Sequence, residues 1–161
     1  MKFFAVIFIA VFVLSLSLSA EEEKKKKSDK KKEEEKEVIV NYEVIQQGTY
    51  SGKKDTVAQV IDNKKDWEQL WKQHVSVLVP QPPVPDIDFE NNVIAVIFAG
   101  EKNTGGYAVV IKTVSAETDD VILKYRLTEP QPNSFTLQVI SQPYAMVRIE
   151  KPKGTVKLVK E

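Results

Sequence analysis

Cysteine is missing from the sequence altogether, and with it go disulfides, thiolate metal centres, a cysteine nucleophile and a lipid-modified N-terminal cysteine. Packing alone must hold the fold. Net charge is missing too, since 23 basic and 23 acidic residues cancel over 161 residues. Much of that charge sits in residues 21–37, EEEKKKKSDKKKEEEKE, where acids and lysines balance. The remainder is close to neutral and offers no basic surface, so nucleic acid is a poor partner. Histidine occurs once, at His74. A serine-histidine-acid arrangement is not recognisable around it, and the chain has no G-x-S-x-G elbow, P-loop or zinc spacing. The sequence therefore predicts no catalytic residue, no bound metal and no cofactor.

Long apolar runs are confined to the start. Residues 1–20, MKFFAVIFIAVFVLSLSLSA, combine Lys2 with an apolar run and then small residues, the pattern of a secretory signal peptide cleaved after Ser19 or Ala20. The alternative is an uncleaved N-terminal membrane anchor, because the run approaches the roughly 20 residues that span a bilayer. Cleavage would leave no stable membrane span and a secreted, periplasmic or envelope-associated protein. Residues 21–37 read as a soluble charged linker, and 38–161 as a single globular domain.

Within 38–161 the pattern is mostly period two. VIVNYEVIQQG (38–48), TVAQVI (56–61), VIAVIFAG (93–100), YAVVIKTV (107–114), VILKYRL (121–127), SFTLQVIS (134–141), QPYAMVRIE (142–150) and TVKLVK (155–160) read as strands. VIAVIFAG is apolar without alternation, as expected of a central strand covered on both faces. One helix is expected after Asp62 or Asn63, with Trp67, Leu70, Trp71, His74, Val75 and Leu78 on one stripe. PQPPVPD (80–86) ends it as a rigid connector. The fold class is α+β: a mostly antiparallel sheet or small sandwich of about eight strands, with one amphipathic helix packed on it.

Two groups invite chemistry and receive milder readings. His74 lies at the helix C-terminus, where the dipole favours an imidazolium, and belongs with the tryptophan stripe. Asp86, Asp88 and Glu90 alternate with Ile87 and Phe89, which places the acids on a solvated face and the apolar pair in the core.

The most distinctive stretch is GEKNTGGYAVVI (100–111). Gly105 or Gly106 takes positive φ and turns the chain into a hairpin between the flanking strands, with Tyr107 facing inward beside Val109 and Ile111. Taken with WEQLW (67–71), PPVPDIDF (82–89) and ISQPYAMVRI (140–149), this stretch resembles the PrcB-like protease-complex accessory family. The resemblance implies a secreted, non-catalytic domain that binds and stabilises a partner protein, a secreted or surface protease. It points to Gly100, Thr104, Gly105, Gly106, Tyr107, Pro143 and Tyr144; without Gly100, and with the neighbouring Lys102 and Asn103, these form the expected partner-binding set. Two other functions compete: inhibition of secreted proteases through the TGGY loop, and an envelope ligand-binding or structural role if Tyr107, Tyr144 and the tryptophans are exposed together.

Overall fold

A computed structural model describes residues 38–161. The signal segment and the charged linker expected over 1–37 lie outside the described residues. The elements are β1 (Val38–Ile39), β2 (Tyr42–Gly48), β3 (Thr56–Ile61), α1 (Lys64–His74) with a 3-10 turn at Val75–Val77, β4 (Asn92–Ala99), β5 (Ala108–Glu117), β6 (Asp120–Thr128), β7 (Tyr144–Glu150) and β8 (Val156–Lys160).

The strands form two four-stranded sheets, ordered β1-β5-β6-β8 and β2-β7-β4-β3. All pairs are antiparallel except β6 with β8. Their inner faces enclose one core. Val93, Ala95, Ile97 and Ala99 of β4 and Ala145, Val147 and Ile149 of β7 meet Val109, Val114, Val121 and Leu123 of the opposite sheet. The alternate residues Ile94, Val96, Phe98, Tyr144 and Met146 point the other way, onto Trp67, Leu70, Trp71 and Val75. Strands β4 and β7 are therefore buried on both faces, which is why VIAVIFAG lacks polar alternation.

Helix α1 begins where Asn63 accepts from the Asp66 amide at 3.0 Å, satisfying one of the free N–H groups of the first turn. Beyond it, the proline-rich connector lies across the tryptophans. Trp67 Nε1 donates to the Pro85 carbonyl at 3.0 Å and Trp71 Nε1 to the Pro82 carbonyl at 3.2 Å. The two indoles, one helical turn apart, thus give each buried N–H a partner and strap the connector to the helix. Ile87 and Phe89 pack on the helix-side core while Asp86, Asp88 and Glu90 face solvent, as their alternation requires.

The structure has the expected number of strands but not the expected set. VIVNYEVIQQG is two strands in different sheets. SFTLQVIS is no strand: residues 134–140 run without turn or bend but join neither sheet. The hairpin expected at GEKNTGGY is also absent. β4 is already flanked by β3 and β7, leaving no free edge, so residues 100–107 cross instead to the other sheet, where β5 pairs with β1 and β6. The hairpin between β5 and β6 does form, turning at Thr118 and Asp119 with Thr118 at φ 58°.

Candidate functional site

Two connections link the sheets at one end of the sandwich. Residues 100–107 run from the end of β4 to the start of β5, and 129–143 run from the end of β6 to the start of β7. Register makes them neighbours: Phe98 of β4 opposes Tyr144 of β7, and Ala108 of β5 opposes Thr128 of β6. Both crossovers join the same two corners, and they hydrogen-bond to each other.

In the shorter crossover, Gly100 leaves β4 at φ 75° and Gly106 enters β5 at φ 91°. Both values lie in the left-handed region that favours glycine. A side chain would also collide, at 2.8 Å from Thr56 Oγ1 for Gly100 and 3.0 Å from Pro130 Cβ for Gly106. Between them, Lys102 and Ser141 exchange backbone bonds of 2.8 and 3.0 Å, Ser141 Oγ donates to the Thr104 carbonyl at 2.8 Å, and the Gly105 amide donates to the Leu137 carbonyl at 2.9 Å. Gln142 Nε2 donates to Glu101 at 3.2 Å from a buried position. The NTGG loop is thus braced along its length by the second crossover.

That second crossover, the arm, carries the feature that sequence reading missed. Phe135 is fully exposed, Leu137 is 75% exposed, Ile140 58% and Val139 51%. Four large apolar residues within six positions are far from the scattered exposed leucine that any surface shows. The alternation of SFTLQVIS signals their shared β character, but not that they lack a covering layer. From residue 130 to 142 there is no charge. At the far end of the arm the Lys102 ammonium lies 5.6 Å from the Tyr107 ring centroid, and no carboxylate pairs with it among the described residues.

The eight expected site residues divide accordingly. Lys102, Asn103, Thr104, Gly105, Gly106 and Tyr107 are brought together beside the arm, partly or fully exposed. Tyr107 does not join Val109 in the core; it stays partly buried beneath Lys102. Pro143 and Tyr144 are buried under the loop, where Pro143 accepts from the Ala99 amide at 2.8 Å, so they support the surface without forming it. Tyr144, Trp67 and Trp71 are all buried, so the exposed aromatic group that would favour the envelope ligand-binding or structural alternative is absent among the described residues.

His74 has a serine neighbour after all. Its Nδ1 lies 2.9 Å from Ser51 Oγ and its Nε2 3.1 Å from Gln46 Oε1, with the Tyr144 ring 4.4 Å away. Histidine and serine are both sealed from solvent, and the third group is a neutral amide. No substrate reaches this trio, which serves to satisfy buried polar atoms. The expected imidazolium is corrected as well: burial lowers the His74 pKa to about 4. A helix terminus favours the cation by about 2 kcal/mol at most, whereas removing a charge from water costs several. Asp88 is held below its ordinary value first by the Asn91 side chain and then by the Glu90 amide, the signature of a capped turn. No cluster of three metal-ligating side chains occurs among the described residues, and none of their helices is long and apolar enough to cross a membrane.

No curated protein and no solved structure matches the chain. Residues 93–150, which supply β4, the braced loop, the β5–β6 hairpin, the arm and β7, match the PrcB C-terminal family model, and the family resemblance carried by the sequence holds over this segment.

Proposed function

We propose that the domain is a non-catalytic binding module that docks on a partner protein through the arm and the loop braced beside it, and that the partner is a protease whose complex it stabilises. The apolar strip of Phe135, Leu137, Val139 and Ile140 carries this reading. An uncharged, solvent-facing segment of this kind gains stability when another protein covers it. The PrcB C-terminal match over the segment that builds the surface supports a protease as the partner class. The signal-like residues 1–20 support a secreted or envelope setting.

Phe135→Asp and Leu137→Asp test the reading. Each side chain contributes about 1.5–3 kcal/mol when fully buried, so either substitution should weaken capture of an envelope protease at least about 10-fold. The melting temperature should not move, since neither residue is buried in the free protein. Protease half-life and turnover, measured in the same samples, separate a stabiliser from an inhibitor: the former lengthens the half-life and the latter lowers turnover. Capture that is indifferent to both aspartates would refute docking at the arm.

A further inference from the structure

We propose that the partner engages the arm by β-strand addition, supplying an extended segment of alternating apolar residues with one carboxylate placed to meet Lys102. This rests on the protein-binding reading above and adds the chemistry of the occupant. Along a straight chain, the backbone groups of alternate residues point to the same side. Leu137 and Ser141 direct theirs to the loop, toward Gly105 and Lys102. Thr136, Gln138 and Ile140 therefore direct theirs away, and among the described residues none of their amides or carbonyls has a partner. The arm is thus an extended segment bonded to the loop at Leu137 and Ser141 on one side and, among the described residues, to nothing on the other.

Natural proteins guard such edges with charge, proline or a bulge. Residues 134–141 contain no charged residue, no proline and no glycine. An added strand would bond the free groups of 136, 138 and 140 while its apolar side chains cover Phe135, Leu137 and Val139, the recognition mode in which backbone bonds give affinity and alternate side chains give specificity. At the Ser141 end one of its side chains would extend across Ser141 to Lys102, which bonds the opposite side of the arm and whose ammonium has, among the described residues, only the Tyr107 ring. A carboxylate completes that site.

A second copy of the chain fits less well. Its own arm brings no carboxylate to Lys102, because residues 130–142 are uncharged.

The test is selection of random heptapeptides by the full chain, with Gln138→Pro as counter-target. Proline there removes one outward N–H and keeps every apolar side chain of the arm. Expected are peptides that alternate apolar residues and carry an acid near one end, binding at least 10-fold more weakly to Gln138→Pro. Methylating the peptide's own alternate amides should weaken binding to the unaltered chain equally, which keeps the test valid should the proline variant fold poorly. Lys102→Glu should weaken the acidic peptides about fivefold, and a lysine in place of the peptide's acid should restore binding to that variant. Equal binding to Gln138→Pro, tolerance of amide methylation, absence of any enriched peptide, or an acid-independent selection would overturn the proposal. So would a concentration-dependent dimer abolished by Gln138→Pro, which would make a second copy the occupant. A protease partner that is lost with Phe135→Asp but retained by Gln138→Pro would leave protein binding standing and remove strand addition.

Discussion

Lowering the pH from 6.5 to 4 should destabilise the folded domain largely through one group. In the unfolded chain His74 takes up a proton near the ordinary value of 6.5, whereas in the folded chain burial lowers that value to about 4. Between these values the unfolded state binds a proton that the folded state refuses, so stability falls as pH falls. The slope reaches about 1.4 kcal/mol per pH unit, and the whole loss, complete below the folded value, comes to about 3 kcal/mol. That is a large share of the roughly 5–15 kcal/mol typical of a folded domain. Asp120 does not confuse the window: its bond from Lys157, then its bonds from Thr155, hold it at about 2. Its contribution is present above the ordinary aspartate value and disappears only as pH falls toward 2. The assay is urea unfolding of the parent chain and of His74→Gln from pH 7.5 to 4, alongside the imidazole proton resonance, which is unique because the chain has one histidine. The variant should be the less stable of the two near neutrality, yet flat with pH where the parent declines. A resonance that titrates near 6.5 in the folded protein, or a parent as flat as the variant, would refute the burial argument.

Two further perturbations test the braced end of the sandwich and the strap. Gly106→Ala places a side chain at φ 91° and 3.0 Å from Pro130 Cβ, so thermal unfolding should register a loss of about 1–2 kcal/mol. Gly105→Ala meets nothing closer than 3.6 Å and has no left-handed φ, so it should stay within about 0.5 kcal/mol of the parent; equal losses would mean that the loop is not held as described. Trp71→Phe removes the bond to the Pro82 carbonyl, with an expected cost of about 1–2 kcal/mol. Limited proteolysis within residues 80–86 should quicken in that variant, and unchanged cleavage would argue against the strap.

The core was legible because burial leaves a mark on local composition. The unbroken run Val93–Ala99 announces two covered faces, and the spacing of Trp67, Leu70, Trp71 and His74 announces the helix that covers one of them. Pairing was less legible. β4 obtains its neighbours from β3 and from β7, some fifty residues away, and nothing within GEKNTGGY records that both edges of β4 are already occupied. The expected left-handed position is found at Gly106 and not at Gly105, but a left-handed glycine serves a crossover between sheets as readily as a hairpin. His74 shows the same limit, since its serine and amide partners come from a different loop and strand.

The arm was hidden for a topological reason. SFTLQVIS has the alternation and β propensity of a strand, and those properties are local; whether another strand lies alongside is not. Thr128 ends in one sheet and Tyr144 begins in the other, so residues 129–143 must cross, and they join the same corners that residues 100–107 join with little more than half as many residues. Chain beyond what the crossing requires has to leave the body of the domain, and here the surplus includes its exposed apolar residues. A connection that served only to join β6 to β7 would gain solubility from polar residues at Phe135, Leu137 and Ile140 and lose no contact with the core. Exposed apolar side chains on a long crossover without secondary structure of its own, fixed at one edge by a braced loop, are what a binding segment requires and what a plain connection would shed.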